Sequence, residues 1–214
     1  MIKYLLFISI LLFTSCSFKT PPNLWQHKSA NAFHSYTQDF LSKNDNMATN
    51  DLQRAIKHAK QSADLTQLAR VYLGKCALNI SVGVEDSCQE YLNIADVVQS
   101  DRLDAYYSFI TKSIVDKQID FLPQYYQEYI KNIKKKDFIE ANKNILSMPK
   151  ITSTLLCAVL IKENLEQDSR AKITKLASFY GYKKAVLFWL NEQKKYTQDR
   201  KEKEYLEKKI SILK

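Results

Sequence analysis

The chain has 214 residues, a formal charge of +9, 45% apolar residues and 26% charged residues. These are ordinary values for a folded domain. Only 3 Gly and 4 Pro are present, too few turn residues to build a sheet protein of many strands, so an all-helical chain is the natural outcome. Five of the 32 basic residues are Arg and the rest are Lys. Readers of nucleic acid lean on Arg for bidentate contacts, and here the positive charge is spread along the chain. The composition therefore points to a Lys-rich solvated surface and not to a nucleic-acid partner.

The N-terminus has a three-part layout. Lys3 supplies a positive start, Tyr4 to Phe13 is apolar apart from Ser9, and small Thr14 and Ser15 precede Cys16. That is the order of a secretory signal peptide. The apolar run is about ten residues where a spanning helix needs roughly 20. Phe13-Thr14-Ser15-Cys16 resembles the bacterial lipobox. The resemblance implies removal of residues 1–15 and a lipid on Cys16. Phe13 departs from the Leu usual at that place. The plainer alternative is ordinary cleavage with Ser15 and Ser17 as the small pair and Cys16 lost with the leader. With Ser17 and not Asp after the Cys, the sorting rule of such proteins implies the outer membrane. Residues 16–24 read as the lipidated Cys and a short tether, since Pro21 and Pro22 forbid helix there. Eight extended residues reach at most about 26 Å.

Residues 25–214 read as one helical domain. The clearest stripe is Leu65, Leu68, Ala69, Tyr72, Leu73, Cys76, Ala77 and Ile80, with the spacing of one helix face. Asp64 with Gln67, and Asn50 with Gln53, have the spacing of capping boxes. Further stripes are Cys88 to Val98, Leu103 to Ile114, and Ile119 to Ile133 with Pro123 in its first turn. Asp137 and Asp168 stand where N-caps would, Pro149 ends one helix, and Gly181 breaks another. The last helix, near 198–213, is apolar on one side only. About eleven short helices with tight connections suggest stacked antiparallel hairpins.

Two stretches resemble tetratricopeptide repeats. Lys136-Asp137-Phe138-Ile139-Glu140-Ala141 with Met148 and Pro149 looks like the second helix of such a repeat, and Gly181-Tyr182-Lys183-Lys184-Ala185 with Trp189 is similar. The spacing between Ala141 and Ala185 does not keep the roughly 34-residue period of that family. The resemblance implies a degenerate, solenoid-like stack.

Four cysteines occur: Cys16, Cys76, Cys88 and Cys157. In an oxidising compartment Cys76 and Cys88, twelve apart around Gly83, are candidates for a disulfide. Cys157 lies in an apolar run and reads as a small buried hydrophobe. His27, His34 and His58 make no zinc pattern with the cysteines. The hydrolase, phosphate-loop and zinc-protease signatures are absent from the sequence, so no catalytic residue, metal or cofactor is expected. The 13 tyrosines include Tyr106, Tyr107, Tyr125, Tyr126 and Tyr129. Their place on core stripes suits helix packing with the hydroxyls reaching the surface. The same five are the candidate aromatic interaction surface, because Tyr is enriched where proteins meet.

The resulting expectation is a membrane-anchored scaffold that binds another envelope protein or a peptide. Its rivals are a cell-wall enzyme built on scattered carboxylates and a purely structural lipoprotein.

Overall fold

The computed structural model describes residues 23–214. Cys16, the leader and most of the tether lie outside the described residues. Among the described residues there are twelve α-helices, one short 3-10 turn and no strand. The helices are α1 (Leu24–Ser42), α2 (Asp45–Ala59), α3 (Thr66–Ser81), α4 (Gln89–Val98), α5 (Asp101–Ile110), α6 (Asp116–Ile119), α7 (Gln124–Lys134), α8 (Phe138–Leu146), α9 (Ile151–Leu160), α10 (Gln167–Phe179), α11 (Lys183–Tyr196) and α12 (Arg200–Leu213). No described helix is long and apolar enough to cross a membrane.

The expected hairpins are present. α1 packs along α2, α7 along α8, and α10 along α11, with α12 laid against α11. Close approach of α1 and α2 is possible because Ala32, Ala48, Ala55 and Ala59 are small and buried where the helices meet. Ser29 ties the pair by donating its hydroxyl to the Ala55 carbonyl at 2.9 Å.

Two helices form the centre. α3 is buried on most sides, through Leu68, Ala69, Val71, Leu73, Cys76, Ala77 and Leu78. α9 is buried continuously from Ser153 to Leu160. They pack against each other, although more than seventy residues separate their starts. A helix that is apolar all round can only be stable inside, and these two supply the middle of a core that runs through the whole stack.

In an open solenoid each repeat touches only its neighbours. This helical-repeat-like stack has an added feature: its next-to-last helix returns to its first. α11 packs on α1. Lys184 of α11 places its ammonium 2.7 Å from the Asp45 carboxylate and 3.9 Å from the centre of the Phe40 ring. The polar outer side of α12, with Leu206 and Ile210 alone buried, closes one end of the stack.

Several local expectations are corrected. Asn50 lies within α2, which starts five residues earlier, so it caps nothing. Asp64 accepts from the Thr66 amide, but Gln67 turns to Ser29 at 3.4 Å instead of returning to close a capping box. Asp168 sits inside the first turn of α10 and pairs with Lys172. The stripe from Ile119 to Ile133 is cut in two, because Pro123 is the N-cap of α7 and not part of its first turn. Asp137 does cap α8, accepting from the Glu140 amide at 3.1 Å.

Cys76 and Cys88 sit at disulfide-bonding distance, with Cα atoms 5.3 Å apart. A symmetric helical hairpin would have left them at different heights. Instead α3 ends at Ser81, and residues 82–88 fold back along its last turn without helix. Asp86 pins that return, accepting from the Cys88 amide at 2.8 Å and from the Asn79 side chain at 2.7 Å. A bridge closing a loop of this size stabilises by roughly 3 kcal/mol. Cys157 is free and buried, as its apolar run implied. Burial pushes its thiol well above the usual range.

Candidate functional site: a cleft over the central helices

The positions of α1 divide into two sets. Ser29, Ala32 and Tyr36 are buried toward the rest of the stack. Ala30, Phe33, His34, Thr37 and Gln38 follow the three-four spacing of a second helix face and line a cleft of about 580 Å³. The floor is Gly74, Ala77 and Leu78 of α3 with Leu156 of α9. Tyr106 of α5 and Tyr126 of α7 stand at one part of the wall. Pro149, Lys150 and the first turn of α9 form another, and Tyr180 and Tyr182 complete it.

Local structure explains the aromatic wall. Gly181 has a φ of +69°, a left-handed turn that disfavours other residues, and a Cβ there would meet nothing within 4 Å. That turn ends α10 and sets the rings of Tyr180 and Tyr182 in a stack, 5.6 Å apart and 26° from parallel. Phe179 meets Tyr180 edge-on and is 82% exposed, so aromatic surface runs from the cleft rim to solvent. Gly74 has a different reason. A Cβ built on it would lie 2.3 Å from Cζ of Phe33, so the bare backbone of α3 is the seat of that ring.

The charges are one-sided. The residues lining the cleft include no carboxylate, while Lys150 brings a positive charge. Lys150 has no ion-pair partner among the described residues, whereas Lys75, Lys134 and Lys184 are each paired, with Glu90, Asp116 and Asp45. No side chain caps α9. The open amides of its first turn, at the positive end of the helix dipole, therefore border the cavity.

The five tyrosines proposed as an interaction surface divide. Tyr126 and Tyr129 are 5% and 0% exposed and belong to the core. As an open surface they are a correction. Tyr129 donates its hydroxyl to the Cys157 carbonyl at 2.6 Å, and Tyr126 shares a 2.8 Å hydrogen bond with Ser153. Both hydroxyls point inward because α9 is polar enough at these points to receive them. Burial pushes the phenols of Tyr106, Tyr126 and Tyr129 well above their ordinary range. Tyr106 is half-buried and, with the upper edge of Tyr126, reaches the cleft. Tyr107 packs on Tyr91 and Tyr125 on Tyr126, outside the cleft lining.

The sequence reading did not select Phe33, His34, Lys150, Tyr180 or Tyr182. The second face of α1 was visible as aromatic and polar residues at helical spacing. The Tyr-Gly-Tyr at 180–182 was visible as two rings around a breaker. Nothing in the sequence said that these two segments face each other.

Cys76, Asp86 and Cys88 form a compact group of metal-ligand side chains, with ligand atoms within 4.8 Å of one another. With the sulfurs joined, neither is a thiolate, and the carboxylate already serves Asn79 and the Cys88 amide. Comparison of the chain with protein families, with curated proteins and with solved structures found no match.

Proposed function

We propose that this chain is a lipid-anchored protein of the bacterial envelope that holds a segment of another envelope protein in the cleft between α1 and the start of α9. The cleft carries this reading. Its volume of about 580 Å³ falls in the range of pockets that enclose a ligand, roughly 300–1,000 Å³. Its walls combine apolar rings with a few polar groups, the mix that gives grip and orientation together. The leader-like segment before Cys16 supports the anchor, and Ser17 after it supports the outer-membrane address.

Two measurements test the two halves. Intact mass of the membrane-extracted protein is expected to begin at an acylated Cys16; a mass without lipid removes the anchor. A photo-crosslinking amino acid in place of exposed Gln38 is expected to give a discrete adduct in the native envelope. The same amino acid in place of Lys203, exposed on α12, is expected to give none. Equal adducts from both positions, or none from position 38, removes the cleft from the function.

A further inference from the structure

We propose that the occupant of the cleft is an acidic, extended peptide segment, with a carboxylate held between Lys150 and the first turn of α9 and apolar side chains resting on Phe33, Tyr180 and Tyr182. The inference rests on the reading of the cleft as a partner site and adds the chemistry of the partner.

Three independent features favour negative charge. The lining offers no Asp or Glu to repel a carboxylate. Lys150, the lysine of the lining, is exposed and has no ion-pair partner among the described residues. The aromatic groups contribute in the same sense. Ring edges carry the positive part of the aromatic quadrupole, and phenol hydroxyls donate hydrogen bonds. A basic segment would meet Lys150 and find no carboxylate in the lining to pair with.

The packing of the rings favours a peptide over an acidic sugar chain. Sugar rings lie flat on open aromatic faces. Here Tyr180 and Tyr182 stack on each other, Phe179 abuts Tyr180, and the Phe33 ring covers Gly74. The surface left by these pairings suits apolar side chains. The polar groups of Thr37, Gln38 and Thr152 can meet the amides and carbonyls of an extended backbone. Such a strand needs partners for these groups along its length.

The test uses the oxidised folded protein and a fluorescent peptide of alternating glutamate and leucine, followed by anisotropy. The expected result is saturable binding that weakens as salt is added, with no binding of a lysine–leucine counterpart. Lys150→Glu is expected to weaken the acidic peptide about tenfold or more. Lys203→Glu, the same charge change away from the cleft, is expected to leave affinity within about twofold, since exposed charges beyond a Debye length of roughly 10 Å are screened. Equal losses in the two variants would show general charge attraction and overturn the proposal. So would equal binding of both peptides, or displacement of the acidic peptide from the cleft by oligogalacturonate at lower concentration. The crosslink from position 38 separates the two layers of argument. An adduct whose crosslinked segment is neutral or basic overturns this inference and leaves the cleft as a partner site. Absence of the adduct removes both.

Discussion

Tyr129 and Tyr180 occupy similar places in the sequence pattern and opposite places in the molecule. Each lies within or at the end of an amphipathic helix among other aromatics. Tyr129 faces α9, is fully buried, and has its hydroxyl bound to the Cys157 carbonyl. Tyr180 follows the last turn of α10, is 49% exposed, and stacks on Tyr182 at the cleft rim. The difference lies in the second layer. α9 covers Tyr129 and receives its hydroxyl, whereas Tyr180 stays half exposed at the rim of the cleft. A tyrosine becomes core or wall according to what is folded over it, and that is decided by contacts between segments far apart in the chain.

The largest expected effect breaks this comparison directly. Tyr129→Ala removes a fully buried ring and leaves a carbonyl without its donor. Large-to-small changes of this kind cost about 3–5 kcal/mol. Tyr180→Ala removes a ring with water on one side and is expected to cost about 1 kcal/mol or less. Urea unfolding of both variants measures the contrast. Similar losses would mean that the 180–182 turn is as much a part of the core as α7.

A smaller effect appears at high pH. The phenols of Tyr126 and Tyr129 titrate above their ordinary value because burial disfavours the phenolate. In the unfolded chain they ionise near pH 10. Below about pH 10 both states are protonated and the full stability is present. Above it the unfolded chain releases protons that the folded chain retains, so stability falls as pH rises. Tyr126→Phe combined with Tyr129→Phe is expected to lower stability at pH 7 by about 1–3 kcal/mol through two lost hydrogen bonds. The same double variant is expected to flatten the fall between pH 10 and 12. A slope as steep as that of the parent protein would place the alkaline lability in other groups.

The sequence was most legible where one element explains itself. The helical class, the Asp137 cap, the stop before Pro149, the break at Gly181 and the polar outer side of α12 all follow from local chemistry. The Cys76–Cys88 pairing followed from spacing, although its geometry depends on a non-helical return pinned by Asp86 that spacing does not encode. Capping signals at Asn50, Asp64 and Asp168 misled because the same residue types serve inside helices and in turns. The cleft was illegible for a deeper reason. It is made by α1, the start of α9 and the α10–α11 turn, brought together when α3 packs on α9 and α11 on α1. Period and propensity describe each helix alone and are silent on those pairings.

The smallest expected change in stability is the most informative about the cleft. Gly74 lies in the middle of α3, where glycine costs about 1 kcal/mol relative to alanine. Gly74→Ala therefore gains helix propensity. It also places a methyl group where the Phe33 ring now sits, and the atoms it meets are the far end of a side chain and not backbone. Phe33 can swing toward the cavity at modest cost, so the two contributions nearly offset and the unfolding midpoint is expected to move little. The displaced ring, however, enters the space proposed for the partner. Binding of the glutamate–leucine peptide is expected to weaken several-fold in Gly74→Ala while the fold is kept. A Phe33→Leu change added to it, which shortens the ring to a branched chain, is expected to restore part of the loss. A Gly74→Ala protein that unfolds early would show Phe33 to be locked into the core. One that folds and binds like the parent would show that the wall of α1 facing the cleft takes no part in recognition.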